Sequence, residues 1–173
     1  LSLKPDYAEA HSNLGLALKE LGRPEEAVAS YQKALALKPD YAEAHSNLGI
    51  SLQDLGKPEE AVASYQTALG LKPNLAEAHS NLGNALKELG RPEEAVASYQ
   101  KALALKPDLP EAHSNLGNLL KDLGKLEEAG DSYQRALAIR PDFTEALGNY
   151  GVLLLALGRR QEALSCFDKR MEL

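Results

Sequence analysis

From Ala8 onward the chain repeats every 34 residues, and two of the copies are almost the same sequence. Residues 8–41 and 76–109 agree at 32 of 34 positions, differing only at Leu16/Asn84 and Tyr41/Leu109. A fixed period of this length confines the chain to a solenoid, in which each unit buries its apolar face against its neighbours and there is no single central core. The units are 8–41, 42–75, 76–109, 110–143 and a shortened copy at 144–173, while residues 1–7 align with the closing residues of one more copy. The chain therefore reads as a piece of a longer array. Ala and Leu dominate, and Val, Ile and Thr are too few for a strand-rich fold. The expected class is all-α: antiparallel helix pairs stacked into an α-α superhelix.

Punctuation within the units places two helices in each. Asp40 followed by Glu43 reads as a capping box, repeated at Asp6/Glu9, Asn74/Glu77, Asp108/Glu111 and Asp142/Glu145. A first helix, A, then runs about four turns to Gly22, Gly56, Gly90, Gly124 or Gly158, each placed to end it with positive φ. A second helix, B, opens on Pro24, Pro58 or Pro92, where the missing N–H costs nothing. Its first turn carries paired acids such as Glu25-Glu26. Lys38, Lys72, Lys106 and Arg140 sit at the opposite end, before Pro39, Pro73, Pro107 and Pro141 stop it.

Apolar spacing predicts the packing. Leu14, Gly15 and Leu18 share one face of helix A, and Ala27, Tyr31, Ala34 and Leu35 share one face of helix B. Gly15 and Ala27 let the axes approach, and Tyr31 fills the space between successive units. This order of small residue, Leu, Gly, small residue, aromatic, Ala and Pro resembles the tetratricopeptide repeat over the whole chain. The resemblance implies a right-handed arc of ten helices with helix A on the concave side. One departure recurs: the aromatic often found early in helix A is His11, His45, His79 and His113, then Leu147. The run Ala-Glu-Ala-His-Ser-Asn-Leu-Gly is most similar to the repeat region of O-linked N-acetylglucosamine transferases and their bacterial relatives, although no glycosyltransferase segment is present in these residues.

Several function classes are excluded. A net charge of −6 opposes nonspecific nucleic-acid binding. No apolar run is long enough to span a bilayer, and no signal peptide is visible. The single Cys166 suits a reducing, cytoplasmic setting. The histidines recur at one position per unit, about 8–10 Å apart in packed helices, too far to share a metal whose ligands sit ~2 Å from it. No catalytic triad, Walker-type loop or dinucleotide glycine motif can be assembled. The expectation is a non-enzymatic segment without metal or cofactor.

The remaining face of helix A carries Asn13, Asn47, Asn81, Asn115 and Asn149 in register. Asparagine is a mediocre helix former, so five mid-helix copies need a reason beyond helix stability. An amide offers one acceptor and two donors, matching the C=O and N–H of a peptide backbone. The resemblance supports this reading, because O-linked N-acetylglucosamine transferases carry a comparable asparagine ladder inside their superhelix. Three residues beyond each Asn stand Leu16, Ile50, Asn84, Asn118 and Val152, which vary as a specificity-setting column would. Leu155 and Ala156 extend Val152 into an apolar end. A chaperone carboxylate clamp is excluded, because the sites that should supply its cations are Ser12, Glu77 and Asn81.

The favoured function is a protein-interaction scaffold that binds an extended peptide or client protein in its groove. The alternatives are a substrate-recruiting arm of a glycosyltransferase and a self-assembling array. Leu164, Phe167 and Met171 on the final helix lack a following helix A, so self-association there, or head-to-tail stacking onto Leu1-Ser2-Leu3, is also expected.

Overall fold

The protein is described here by a computed structural model, covering the backbone from residue 4 and the side chains from residue 7. The stub Leu1-Ser2-Leu3 lies outside the described residues. Among those described there are ten helices and no strand. They are α1 (Lys4–Glu20), α2 (Pro24–Leu37), α3 (Ala42–Asp54), α4 (Pro58–Leu71), α5 (Ala76–Glu88), α6 (Pro92–Leu105), α7 (Pro110–Asp122), α8 (Leu126–Ile139), α9 (Thr144–Ala156) and α10 (Arg160–Met171). The fold is all-α, a solenoid of stacked antiparallel helix pairs. Two compact units divide between α5 and α6, inside the third 34-residue repeat. In the first, α1 pairs with α2 and α3 with α4, while α2 packs on α3 and α4 on α5. In the second, α7 pairs with α8 and α9 with α10, while α6 packs on α7 and α8 on α9. Within the first unit α1 touches α3 and α3 touches α5, but α2 does not reach α4. Likewise α7 touches α9 and α6 does not reach α8. The A helices thus form the inner layer of each unit.

Glycine and proline punctuate the helices as their backbone chemistry requires. Gly22, Gly56, Gly90, Gly124 and Gly158 all have φ between 67° and 75°. At the first of these the Gly22 N–H donates to Lys19 O and the Arg23 N–H to Leu18 O, the paired bonds of a Schellman turn. Pro24 and Pro58 occupy the first turns of α2 and α4.

The capping boxes do not form. Helices α3, α5, α7 and α9 have Tyr41, Leu75, Leu109 and Phe143 at their N-caps, with no side-chain cap bond. The turn residue Asp40 stands one position too early, and α1 begins at Lys4, ahead of Asp6. The glutamates are drawn to cations: Lys72 Nζ donates to Glu43 at 2.8 Å and Arg140 to Glu111 at 2.7 Å. Each bond ties the end of helix B back to the start of its own helix A. The Lys72 ammonium holds the Glu43 carboxyl below the usual carboxylate range.

Close approach within each pair rests on one steric relation. Tyr31, Tyr65, Tyr99 and Tyr133 are fully buried. A Cβ added at Gly15, Gly49 or Gly117 would lie 2.7–2.8 Å from the ring of Tyr31, Tyr65 or Tyr133. The tyrosine therefore lies over the glycine of its own repeat, not only between repeats as its spacing suggests. In α9 and α10 Gly151 and Phe167 keep the same relation, with Phe167 half-buried.

The irregular fourth and fifth repeats are compensated. Tyr150 replaces the usual Leu, and a Cβ added at Gly130, where the first three repeats carry Val, would lie 3.9 Å from its ring. Arg170 replaces the usual Ala, and its guanidinium lies over Gly148, where other repeats carry Ser. One expected core residue is not buried: Leu14 is 49% exposed, whereas its equivalents Leu82 and Leu116 are 8% and 7% exposed. Helices α4 and α6 pack on the helices that carry Leu82 and Leu116, and no helix precedes α1 among the described residues.

Candidate peptide-binding face

The inner layer carries the asparagines. In the first unit Asn13 is exposed on α1, and Asn47 and Asn81 are half-exposed on α3 and α5. Asn47 borders a small cleft of about 90 Å³ between α3 and α5, with Glu43, Ser46, Leu75, Glu77 and Ala78. In the second unit Asn115 and Asn149 are half-exposed on α7 and α9, the neighbouring inner helices. These side chains sit at the surface of each unit, where an amide can meet a peptide group.

In the column three residues on, one member bonds the buried aromatic of its helix B. Asn118 accepts a 2.6 Å bond from the Tyr133 hydroxyl through Oδ1, leaving its amide N–H groups as the available donors. In the second repeat the Tyr65 hydroxyl turns to Gln53 Oε1 at 2.7 Å, and Gln53 Nε2 donates to Glu88 on α5 at 3.1 Å. Ile50 beside it is half-buried. In the fifth repeat Phe167 has no hydroxyl to satisfy, and Val152, 54% exposed, stands in the column next to Leu155, 50% exposed. Leu16 is also exposed. Asn84 is half-exposed and engaged in a polar interaction. Asn118 thus serves the Tyr133 hydroxyl, whereas Leu16 and Ile50 belong to repeats whose tyrosines find no acceptor in the column, so the aromatic alone does not set the column.

Family profiles described as TPR repeat match residues 17–56, 51–90 and 83–124, and profiles described as tetratricopeptide repeat match 110–143 and 144–169. The chain belongs to the tetratricopeptide-repeat family. Among solved structures it is similar to MamA, at 28% identity with a TM-score of 0.83 over 91% of this chain and 92% of that one. It is similar to pilF of Pseudomonas aeruginosa at 25% identity and a TM-score of 0.90, over 98% of this chain and 77% of that one. YrrB, described as a TPR protein with an unusual peptide-binding site, is 27% identical with a TM-score of 0.75, over 94% and 84% of the two chains. No curated protein matches the sequence.

Where tetratricopeptide repeats often carry an early aromatic, the histidines here clamp a turn. Nε2 of His45, His79 and His113 lies 2.9–3.0 Å from the carbonyl of Pro39, Pro73 and Pro107 respectively. A carbonyl only accepts, so Nε2 carries the proton in each. Each histidine fastens its helix A to the turn that ends the preceding helix B. His113 is buried at one side of an open hollow of about 680 Å³, lined by Leu103 on α6, Leu116 and Leu120 on α7, and Arg135 and Ile139 on α8.

Burial lowers the His113 pKa, the bond to Pro107 opposes this, and the Arg135 charge adds to the lowering. The neutral ring is therefore favoured in the folded state. Its stabilising contribution is present above the ordinary value of 6.5 and is lost as pH falls through the lower folded value. Glu128 and Asp131 also border the hollow. Thermal melts of the wild type and His113→Gln at pH 7 and pH 5 are expected to show a smaller acid loss in the variant; equal losses would exclude His113 as the source.

Proposed function

We propose that this protein is a non-catalytic tetratricopeptide scaffold whose inner face binds an extended segment of a partner protein through the segment's backbone. The observation that carries the reading is an exposed or half-exposed asparagine on each successive inner helix, on α1, α3 and α5 in the first unit and α7 and α9 in the second. An extended chain rises about 3.3 Å per residue, so alternate peptide groups recur about every 6.6 Å. Inner helices packed about 8–10 Å apart present donors and acceptors at a comparable spacing. Leu16, Ile50, Asn84, Asn118 and Val152 would then border the bound segment and grade its side chains. The description of YrrB as having a peptide-binding site supports the reading by similarity.

Two finer features belong to the same proposal. Leu164 and Met171 are 53% and 78% exposed on α10 and form the surface for self-association. The free thiol of Cys166 fits a cytoplasmic setting, and no helix among the described residues is long and apolar enough to cross a membrane.

The test uses dodecapeptides selected from a random phage-displayed library on the wild-type chain. Asn47→Ala is expected to weaken their binding about two- to tenfold, one lost hydrogen bond, with helicity unchanged. Undiminished binding, or a library that yields no binder, would overturn the proposal.

A further inference from the structure

The first repeat differs from the others at one buried atom. The Tyr31 ring lies on Gly15 as Tyr65 lies on Gly49 and Tyr133 on Gly117. The other two hydroxyls find an acceptor on helix A, Gln53 or Asn118. At the equivalent places beside Tyr31 stand Lys19, which can only donate, and Leu16, which can do neither. The Tyr31 hydroxyl is buried without a partner, an arrangement that native proteins seldom leave unexplained. The residue at the place of its acceptor, Leu16, is 41% exposed.

We infer that Tyr31, Leu16 and Ile50 form a specificity subsite at the first repeat, in which the Tyr31 hydroxyl donates to a backbone carbonyl of the bound segment while Leu16 and Ile50 hold a bulky apolar side chain beside it. The inference rests on the proposed groove and names the chemistry of its ligand at one end. A rotation of Leu16 about χ1 opens the path to the hydroxyl and turns the leucine onto the ligand. The ligand supplies the acceptor that the chain itself supplies at Tyr65 and Tyr133. Electrostatics narrows it further: exposed Glu9, Glu20 and Asp54 outnumber the half-buried Lys19 on this part of α1 and α3. The segment that fits carries Lys or Arg next to its apolar residue.

Two substitutions separate this subsite from a packing defect. Leu16→Asn gives Tyr31 the acceptor that Asn118 gives Tyr133, so its melting temperature is expected to rise. Peptides selected from the dodecapeptide library on the wild type should carry an apolar residue beside Lys or Arg and bind this variant about tenfold more weakly, the loss of one hydrogen bond and one apolar contact. Tyr31→Phe is expected to bind them more weakly as well, without losing stability. A selected consensus lacking that pair of residues, or wild-type affinity in both variants while Asn47→Ala binds weakly, would overturn the subsite and leave the groove standing. Wild-type affinity in all three variants would overturn both.

Discussion

Replacing Tyr65 by alanine is expected to cost about 3–5 kcal/mol of stability, the range for truncating a fully buried aromatic side chain. The ring is closed in by Gly49 of its own repeat, where even one added carbon would sit 2.7 Å away, so the backbone cannot collapse far into the space left behind. The hydroxyl contributes separately, through its 2.7 Å bond to Gln53 and the onward bond from Gln53 to Glu88. Tyr65→Phe should therefore lose only about 0.5–1.5 kcal/mol, while Tyr31→Phe, whose hydroxyl has no partner, should lose nothing or gain. Burial first, and the nearby Glu20 charge second, push the Tyr31 hydroxyl up to about 12. Ionisation of that hydroxyl is thus disfavoured in the folded state, so stability is unaffected below the ordinary value of 10 and falls as pH rises toward 12. Urea melts of the three variants would measure these differences. Equal losses in the two phenylalanine variants would show that pairing of the Tyr65 hydroxyl with Gln53 adds nothing to stability.

Much of this fold was legible in the sequence because its rules are local and steric. Positive φ at Gly22 and its equivalents follows from the absence of a Cβ, and proline opens helix B because its missing N–H is not needed there. The glutamates beside the turns depart from their local rule, the capping box, because Glu43 answers to Lys72, 29 residues away. The column that holds Asn118 is only half legible for the same reason. Asn118 looks like free surface until helix B places the Tyr133 hydroxyl on it from 15 residues on. Leu14 and Leu82 show where sequence has no power. They are the same residue in nearly identical repeats, and their burial differs because α4 packs behind α5, whereas no helix precedes α1 among the described residues. The asparagine register, by contrast, could be read directly, since a position that repeats every 34 residues keeps its face on the helix.

The triple variant Asn13→Ala, Asn47→Ala, Asn81→Ala is expected to bind the selected peptides about ten- to a thousandfold more weakly than the wild type. The range follows from three hydrogen bonds at about 0.5–1.5 kcal/mol each. These three residues lie on α1, α3 and α5, which touch in succession in one compact unit, so one extended segment can reach all of them. Alanine is the better helix former, so the fold should be preserved or slightly stabilised, and circular dichroism would verify it. Loss of affinity alone would not show that the amides grip main chain, because a changed surface can also disturb side-chain contacts. N-methylation of the peptide's amide nitrogens removes backbone donors while leaving its side chains in place. If the ladder reads backbone, methylation at the contacted positions weakens binding to the wild type and has little further effect on the triple variant, the non-additivity of groups that interact directly. Additive losses would mean that the methylated amides and the asparagines act independently, and would refute the ladder as a backbone grip even if the inner face binds peptide by other means.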